Sequence, residues 1–169
     1  MNKLTQLQRD ALKEALKLDG LSIEHKNTLK DILDSNKNNE IIPKLFVDGA
    51  ADLHSKTAGI GGVVYINEGE VANFSEPLYD KTNNESEYLS LIKGIQVIHE
   101  LKFDNVLIFS DSELIVKQVT GEYKIKNDRM KKLNDEVKLN LRKLTSWSIE
   151  HVKREKNTRA DELSKLGME

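Results

Sequence analysis

The sequence of 169 residues contains no cysteine. This absence excludes a disulfide framework, a thiolate metal site and a cysteine nucleophile. With two prolines and nine glycines, the chain is neither collagen-like nor of low complexity. No apolar run approaches the ~20 residues that span a membrane, and the first residues lack the apolar core of a signal peptide. We therefore predict a cytoplasmic protein that does not associate with a membrane.

An excess of charge of one sign is also missing. The 26 lysines and arginines nearly balance the 28 aspartates and glutamates, which leaves a net charge of -2. A globally basic nucleic-acid binder is therefore not expected, although a local basic stripe is compatible with a neutral chain. Apolar residues make up 38% and charged residues 32% of the chain, as in ordinary globular domains. The length suits one sizeable hydrophobic core.

The composition divides the chain near residue 40. Apolar residues recur every three or four positions over residues 4–33, with a break at Gly20, which predicts two helices. The stretch 34–40 has no apolar residue and is typical of a linker. We predict a helical hairpin with its linker over residues 1–40 and a second domain over residues 41–169. The apolar face of the hairpin needs a cover, which favours docking on the second domain or homodimer formation.

Beyond residue 40, strands and amphipathic helices follow one another in the order β-β-β-α-β-α-α-β-α. The strands are predicted at residues 44–48, 62–66, 71–75, 106–109 and 146–152, and the helices at 83–101, 112–119, 130–144 and 160–166. The first three strands are predicted to form an antiparallel meander because turn residues separate them closely. This order is typical of an α/β domain with a mixed sheet surrounded by helices.

Four carboxylates stand where chemistry is expected in such a domain. Asp48 and Asp111 follow apolar strands, Glu87 lies beside the buried stripe of a helix, and Asp161 lies in the last helix. Singly, each is explained as a solvated strand end or a helix cap. Ends of adjacent strands lie ~5 Å apart, so these carboxylates can also converge. Converging carboxylates repel one another, and an all-oxygen ligand set that resolves the repulsion suits Mg²⁺ or Mn²⁺.

Five blocks of sequence resemble ribonuclease H type I, in the short form found in bacteria and archaea. The blocks are FVDGA at 46–50, AGIGGVV at 58–64, TNN at 82–84 with EY at 87–88, SDSEL at 110–114 and NTRADELS at 157–164. They occur in the family's order within residues 44–167. The resemblance implies the ribonuclease H fold, a mixed five-stranded sheet of three antiparallel and two parallel strands flanked by helices, here preceded by the helical hairpin.

The resemblance also implies an activity. A member of this family would be an endoribonuclease that hydrolyses the RNA strand of RNA/DNA hybrids and leaves 5′-phosphate and 3′-hydroxyl ends. The implied catalytic and metal-binding residues are Asp48, Glu87, Asp111 and Asp161, which would hold two Mg²⁺ ions, with Mn²⁺ as a substitute. Of these four, we expect Asp161 to contribute least.

The implied partner is the RNA/DNA hybrid, recognised through its shape and its 2′-hydroxyl groups. The residues implied to contact it are Gly49, His54, Asn83, Asn84, Ser112, Arg154 and Asn157. Asn83, Asn84 and Asn157 are equally suited to cap helices. His54 replaces a family asparagine, and a surface loop with relaxed chemistry explains it as well as a contact with RNA.

Two departures from the family leave alternatives open. The segment 121–126 is too short for the basic protrusion of longer relatives, which implies a weaker grip on the hybrid. The basic cluster at 124–132 contacts phosphates or is a solvated helix face. The chain is alternatively a weakly active or non-catalytic nucleic-acid-binding protein on the same fold, or a nuclease that cuts DNA. The TNN block at 82–84 favours the hybrid as substrate, because it suits 2′-hydroxyl contact.

Overall fold

A computed structural model of the protein describes residues 4–37 and 41–169. The chain forms two compact units, Met1–Ile41 and Ile42–Glu169. No helix within the described ranges is both long and apolar enough to cross a membrane.

The first unit contains helices α1 (Gln6–Leu16) and α2 (Ile23–Lys37). A capping box starts α1, because the Thr5 hydroxyl accepts a hydrogen bond from the Gln8 N–H while the Gln8 side chain accepts one from the Thr5 N–H. The Ser22 hydroxyl accepts from a backbone N–H in the first turn of α2. Local side-chain bonds therefore define where both helices begin.

One expectation for the first unit needs correction. The predicted linker is wrong over residues 34–37, which continue α2, because a polar stretch without proline or glycine can remain helical. Residues 38–40 lie outside the described ranges. Part of the predicted apolar face is solvent-exposed, since Leu7, Leu18 and Ile23 are 81%, 60% and 80% exposed. Docking or dimerisation of this unit stays a prediction.

The second unit is built on a five-stranded sheet with the strand order β3-β2-β1-β4-β5. The strands are β1 (Lys44–Asp52), β2 (Thr57–Ile66), β3 (Gly69–Tyr79), β4 (Asn105–Ser110) and β5 (Ser146–His151). Strands β1, β2 and β3 pair antiparallel, whereas β4 pairs parallel with both β1 and β5. The predicted mixed sheet of three antiparallel and two parallel strands is confirmed.

Strand β2 begins earlier than the sequence pattern predicts. The pattern predicts too short a strand because the first half of β2 is rich in glycine. A Cβ on Gly59 would lie 2.1 Å from the backbone oxygen of Ser164, and a Cβ on Gly61 would lie 2.2 Å from the nitrogen of the same residue. Glycine at these positions lets a helix backbone lie directly against the strand. Gly59 and Gly61 therefore allow close packing of the helix on the sheet, and they do not mark a loop.

Four α-helices complete the described part of the second unit. They are α3 (Asn83–Glu100), α4 (Glu113–Thr120), α5 (Asp128–Leu141) and α6 (Thr158–Leu166), with a 3-10 turn at Arg154–Lys156 before α6. Gly121 ends α4 in the left-handed conformation, with φ of 85°. Ser112 precedes α4 as predicted, but its side chain makes no capping bond.

The hydrophobic core lies between the sheet and helices α3, α4 and α5. Leu45, Val47, Leu91, Ile95 and Ile108 are essentially inaccessible to solvent in it. Glycine again permits the close approach, since a Cβ on Gly94 of α3 would lie 2.9 Å from the side chains of Leu45 and Val47 on β1. This packing holds the second half of α3 against β1.

Candidate metal centre

Three carboxylates from three separate elements meet at one place. Val47 of β1 pairs with Ser110, the last residue of β4, so the next residues along the chain, Asp48 and Asp111, lie close together. Glu87 reaches the same place from the second turn of α3. One carboxylate oxygen of each residue lies within 4.8 Å of the others. Asp48 and Glu87 are buried, with 6% and 7% exposure, and Asp111 is half-buried.

Gly49 is what brings Glu87 to the sheet. A Cβ at Gly49 would lie 2.2 Å from the carbonyl carbon of Ser86 and 2.3 Å from the nitrogen of Glu87. The Gly49 backbone N–H acts on the Glu87 carboxylate and opposes the rise of its pKa. Gly49 is itself buried, and its close packing against α3 positions Glu87. Contact of Gly49 with the hybrid stays a prediction.

Two carboxylates of the cluster, Asp48 and Glu87, have raised pKa values. Burial, with added repulsion from Asp48 and Asp111, raises the pKa of Glu87 to about 9. Burial raises the pKa of Asp48 to about 6, against the opposing effect of a hydrogen bond from Ser164. Among the residues the structure describes, none of the ion pairs involves any of the three. The cluster therefore lacks a salt-bridge partner within these ranges.

This arrangement fits a divalent cation. The donor atoms are all carboxylate oxygens, which hard cations such as Mg²⁺ and Mn²⁺ prefer. Glu87 Oε2 is buried and has no hydrogen-bond partner within the described ranges. Because a buried, unpartnered charged oxygen is unfavourable, a cation there would supply the missing partner and favour ionisation of the carboxylates.

Asp161, the fourth predicted carboxylate, is not part of this cluster. It lies in the first turn of α6, where it accepts hydrogen bonds from Arg154 Nη2 at 2.5 Å and from Lys165 Nζ at 2.6 Å. Burial acts to raise the pKa of Asp161, but the bonds from Lys165 and Arg154 outweigh it, and the pKa lies below its usual value. The structure thus brings three of the four together and pairs the fourth with two cations of the chain.

Asn157 orients the cluster from within. Its amide donates to the Val47 carbonyl and to Asp111 Oδ1, both at 2.9 Å, and the residue is only 1% exposed. The side chain is therefore inside the protein, and the expected contact of Asn157 with the hybrid stays a prediction. Asn157 does precede α6, but its side chain makes no capping bond.

Ser164 is a neighbour of the cluster that the sequence interpretation missed. Its hydroxyl donates to Asp48 Oδ2, and the residue is fully buried. A signal was present, because Ala160, Leu163 and Ser164 recur at helical spacing and form the buried stripe of α6. A polar residue in such a stripe needs a buried partner.

Several of the residues expected to contact the hybrid are accessible. Asn83 and Asn84 are exposed at the start of α3, where Thr82 forms the capping box with Glu85 and leaves both amides without a capping role. His54 is exposed in the turn between β1 and β2. Ser112 is half-buried beside Asp111, and the Arg154 side chain is 69% exposed. Their contact with a hybrid stays a prediction.

A basic surface lies beside Asn84. A surface cavity of about 230 Å³ is lined by Lys81, Glu85, Leu89, Arg129, Lys132 and Leu133. An adjoining cavity of about 240 Å³ extends from Arg129 to Asn84. Two members of the predicted basic cluster, Arg129 and Lys132, therefore lie close to the start of α3.

A sheet of this order, with carboxylates converging from β1, α3 and the end of β4, defines the ribonuclease H-like class of folds. Residues 46–167 match the family described as reverse transcriptase-like. The chain belongs to this family of ribonuclease H-type domains, and the resemblance seen in its motifs is confirmed.

Relatives and solved structures agree with this assignment. The chain is 31% identical over 120 residues to ribonuclease HI of Halobacterium salinarum, which covers 70% of this chain and 60% of that protein. The N-terminal ribonuclease H domain of a Mycobacterium tuberculosis protein superimposes with a TM-score of 0.73 and 27% identity, over 76% of this chain and 94% of that chain. LC11-RNase H1, isolated from compost by a metagenomic approach, was solved in complex with an RNA/DNA hybrid. It superimposes with a TM-score of 0.70 and 30% identity, over 75% of this chain and 96% of that chain.

The extent of these matches is uneven. The chain spans about 60% of the length of the Halobacterium relative and 34% of the full-length mycobacterial one. The matched part corresponds to the second compact unit, which contains the carboxylate cluster.

Proposed function

We propose that the protein is a divalent-metal-dependent endoribonuclease that hydrolyses the RNA strand of RNA/DNA hybrids and leaves 5′-phosphate and 3′-hydroxyl ends. The observation that carries this proposal is the convergence of Asp48, Glu87 and Asp111 within 4.8 Å. The name of the Halobacterium relative and the hybrid bound to LC11-RNase H1 support the same substrate class.

Asp48, Glu87 and Asp111 would hold the metal, and Mg²⁺ is the ion we propose, with Mn²⁺ as a substitute. When bound, divalent ions at such a site polarise the phosphate, acidify the attacking water and stabilise the leaving oxygen. The chain orients the ligands, through the close packing of Gly49 against the backbone of Glu87 and through the hydrogen bond from the Asn157 amide to Asp111. Asp161 would also contribute to metal binding, and we expect its contribution to be smaller than that of the other three carboxylates.

Recognition of the RNA strand is proposed for the exposed start of α3. Asn83 and Asn84 are not used for capping, so their amides are available to 2′-hydroxyl groups. They lie one turn from Glu87 on the same helix, which sets their distance from the reacting phosphate. His54, exposed in the turn after β1, can donate to a 2′-hydroxyl on the same strand.

The basic surface beside Asn84 is proposed to hold phosphates of the hybrid. Arg129 and Lys132 line it, and Arg129 is 74% exposed although it lies 3.5 Å from Glu85. Ion pairs with phosphates release counterions, so the affinity for hybrid should fall steeply as salt rises. The short segment at 121–126 provides no further basic protrusion, which favours a modest affinity overall.

The test is cleavage of an end-labelled RNA/DNA hybrid by the full chain in Mg²⁺ and in Mn²⁺, with duplex RNA and duplex DNA beside it. We expect cleavage of the RNA strand of the hybrid alone, and its loss in Asp111→Asn. Asp135→Asn is the matched control, because it makes the same charge change at an exposed position of α5.

Other outcomes identify the alternatives. Binding of the hybrid without cleavage, by a folded protein in either metal, would indicate a non-catalytic nucleic-acid-binding protein. Cleavage of duplex DNA would replace the proposed substrate. Cleavage that survives Asp111→Asn would remove the carboxylate cluster from the mechanism.

A further inference from the structure

Ser164 is a fully buried serine that contacts the carboxylate cluster. Its hydroxyl donates a hydrogen bond to Asp48 Oδ2, across 116 positions of sequence. The same oxygen lies 2.9 Å from the carbonyl oxygen of Asp161, one turn earlier in α6. Since a hydroxyl has one proton to donate, it serves only one of these acceptors at a time.

The backbone around Ser164 is held in place by strand β2. Gly61 pairs with Asp48 in the antiparallel register, and a Cβ on Gly61 would lie 2.2 Å from the Ser164 nitrogen and 2.6 Å from the Ala160 carbonyl oxygen. Helix α6 therefore lies against the strand neighbour of Asp48, with no room for a side chain between them. The position of the Ser164 hydroxyl is thus fixed by packing as well as by its hydrogen bond.

A second buried serine near Gly61 shows what a structural role alone looks like. Ser90 of α3 is also fully buried, and its hydroxyl donates to the Gly61 carbonyl at 2.7 Å. Both serines join a helix to the same part of the sheet. They differ in the acceptor, which is a backbone carbonyl for Ser90 and a carboxylate of the cluster for Ser164.

We propose that Ser164 is a positioning residue for the metal ligand Asp48. Its hydroxyl holds one carboxylate oxygen, so the other remains available to a divalent ion that Glu87 and Asp111 also bind. A hydrogen bond to an ionised carboxylate is stronger than one between neutral groups, and it restricts rotation of the ligand. The inference rests on the proposed function only in taking this ion to be the catalytic one.

The test measures Mn²⁺ binding by calorimetric titration of the full, metal-free chain, without nucleic acid. Ser164→Ala should bind Mn²⁺ about tenfold more weakly than the natural sequence, the effect typical of losing a hydrogen bond to a metal ligand. Ser164→Cys, which keeps a weak donor, should lie between the two. Asp48→Asn should lose the binding, which shows that the titration reports this site.

Ser90→Ala is the matched control. It removes the same hydroxyl at the same burial and should leave the affinity for Mn²⁺ unchanged, even if it lowers the melting temperature. In cleavage assays Ser164→Ala should need more Mg²⁺ for half-maximal rate, with an unchanged KM for hybrid, because Ser164 is inaccessible to the substrate.

Wild-type affinity for Mn²⁺ in folded Ser164→Ala would overturn the inference, and so would an equal loss in Ser90→Ala. A natural chain that binds no Mn²⁺ would overturn it as well. A natural chain that binds Mn²⁺ but cleaves no hybrid would overturn the proposed function instead, while the comparison of the two serine variants still decides the role of Ser164.

Discussion

The three clustered carboxylates and Asp161 belong to the same predicted set, yet their surroundings are opposite. Asp48 and Glu87 have raised pKa values of about 6 and about 9, because they are buried beside one another and beside Asp111. Asp161 has a lowered pKa, because Lys165 and Arg154 donate hydrogen bonds to it. The cluster is short of positive charge, whereas Asp161 already has two cations.

This difference shows that the acidic residues of the site lie in two kinds of electrostatic environment, one without a cation from the described part of the chain and one with two. A carboxylate without a cation from the chain favours a cation from solution. A carboxylate that is already paired has to exchange a partner before it can bind one. The comparison therefore predicts that the cluster dominates metal binding and that Asp161 contributes less.

The largest expected effect is the difference in cleavage rate between Asp48→Asn and Asp161→Asn. Asp48→Asn removes a negative ligand from the cluster and should lower the single-turnover rate by about 10³-fold. Asp161→Asn should lower it by about tenfold, since Asp161 lies outside the cluster. Rates are measured on an end-labelled hybrid at saturating Mg²⁺. Equal losses in the two variants would break the division between cluster and Asp161.

The next effect concerns the contact that places Glu87 in the cluster. Gly49→Ala puts a methyl group 2.2 Å from the backbone of α3, so either β1 or the start of α3 has to move. We expect the free energy of unfolding to fall by about 3 kcal/mol, measured by urea titration. Gly69→Ala is the control, because a Cβ there meets nothing closer than 3.4 Å. Similar losses in both variants would contradict a special role for Gly49.

A smaller effect concerns stability and pH in the metal-free protein. The pKa of Glu87 is 4.5 in an unfolded chain and about 9 in the folded protein, so between these values the unfolded state loses its proton first. The free energy of unfolding should therefore fall as pH rises through this window. Glu87→Gln should remove the part of this fall that Glu87 causes, while the raised pKa of Asp48 keeps a smaller fall below about pH 6. At pH 8 the variant should be more stable by about 2 kcal/mol.

Urea titrations at pH 5 and pH 8 in a chelator test this expectation. Glu136→Gln, at an exposed position of α5, is the control and should keep the natural pH dependence. Added Mg²⁺ should stabilise the natural chain at pH 8 more than Glu87→Gln. A variant that is less stable than the natural chain at pH 8 would contradict the repulsion inferred for the cluster.

The smallest effect separates the two cations on Asp161. The Arg154 charge also acts on Asp48 and Glu87, where it opposes the rise of both pKa values. Arg154→Gln should therefore tighten Mn²⁺ binding about threefold, because it removes a competing positive charge. Lys165→Gln removes the same charge from Asp161 and should change Mn²⁺ affinity less. If both variants tighten binding equally, Asp161 rather than the cluster is responsible.

Much of the site was predictable because it follows the period of strands and helices. Asp48 directly follows an apolar run, Asp111 follows another after one serine, and Glu87 lies one turn before the apolar stripe of α3. Their approach therefore follows from local pattern and strand order. One of the two contacts of Asp161 was predictable, because Lys165 follows it by four residues on the same helix. The Arg154 contact was not visible, since it depends on the 3-10 turn that returns the chain to α6.

Burial is what the sequence pattern does not predict. The resemblance implies that Gly49 and Asn157 contact the hybrid, whereas both residues are buried in the structure. Burial results from the packing of distant elements, so a motif shows that a residue matters but not on which side of the surface it lies. The predicted strand β2 is too short because its glycines pack against the backbone of α6, which is distant in sequence.

The dependence of the cluster on α6 has a consequence for folding kinetics. The bonds from Ser164 to Asp48 and from Asn157 to Val47 span 116 and 110 positions of sequence. Contacts of such range form late, because most of the chain entropy has to be lost before they contribute. In the reverse direction, opening of α6 alone would remove both bonds while β1 and β4 stay paired. Loss of metal affinity should therefore coincide with faster hydrogen exchange in α6 rather than with faster hydrogen exchange in the sheet.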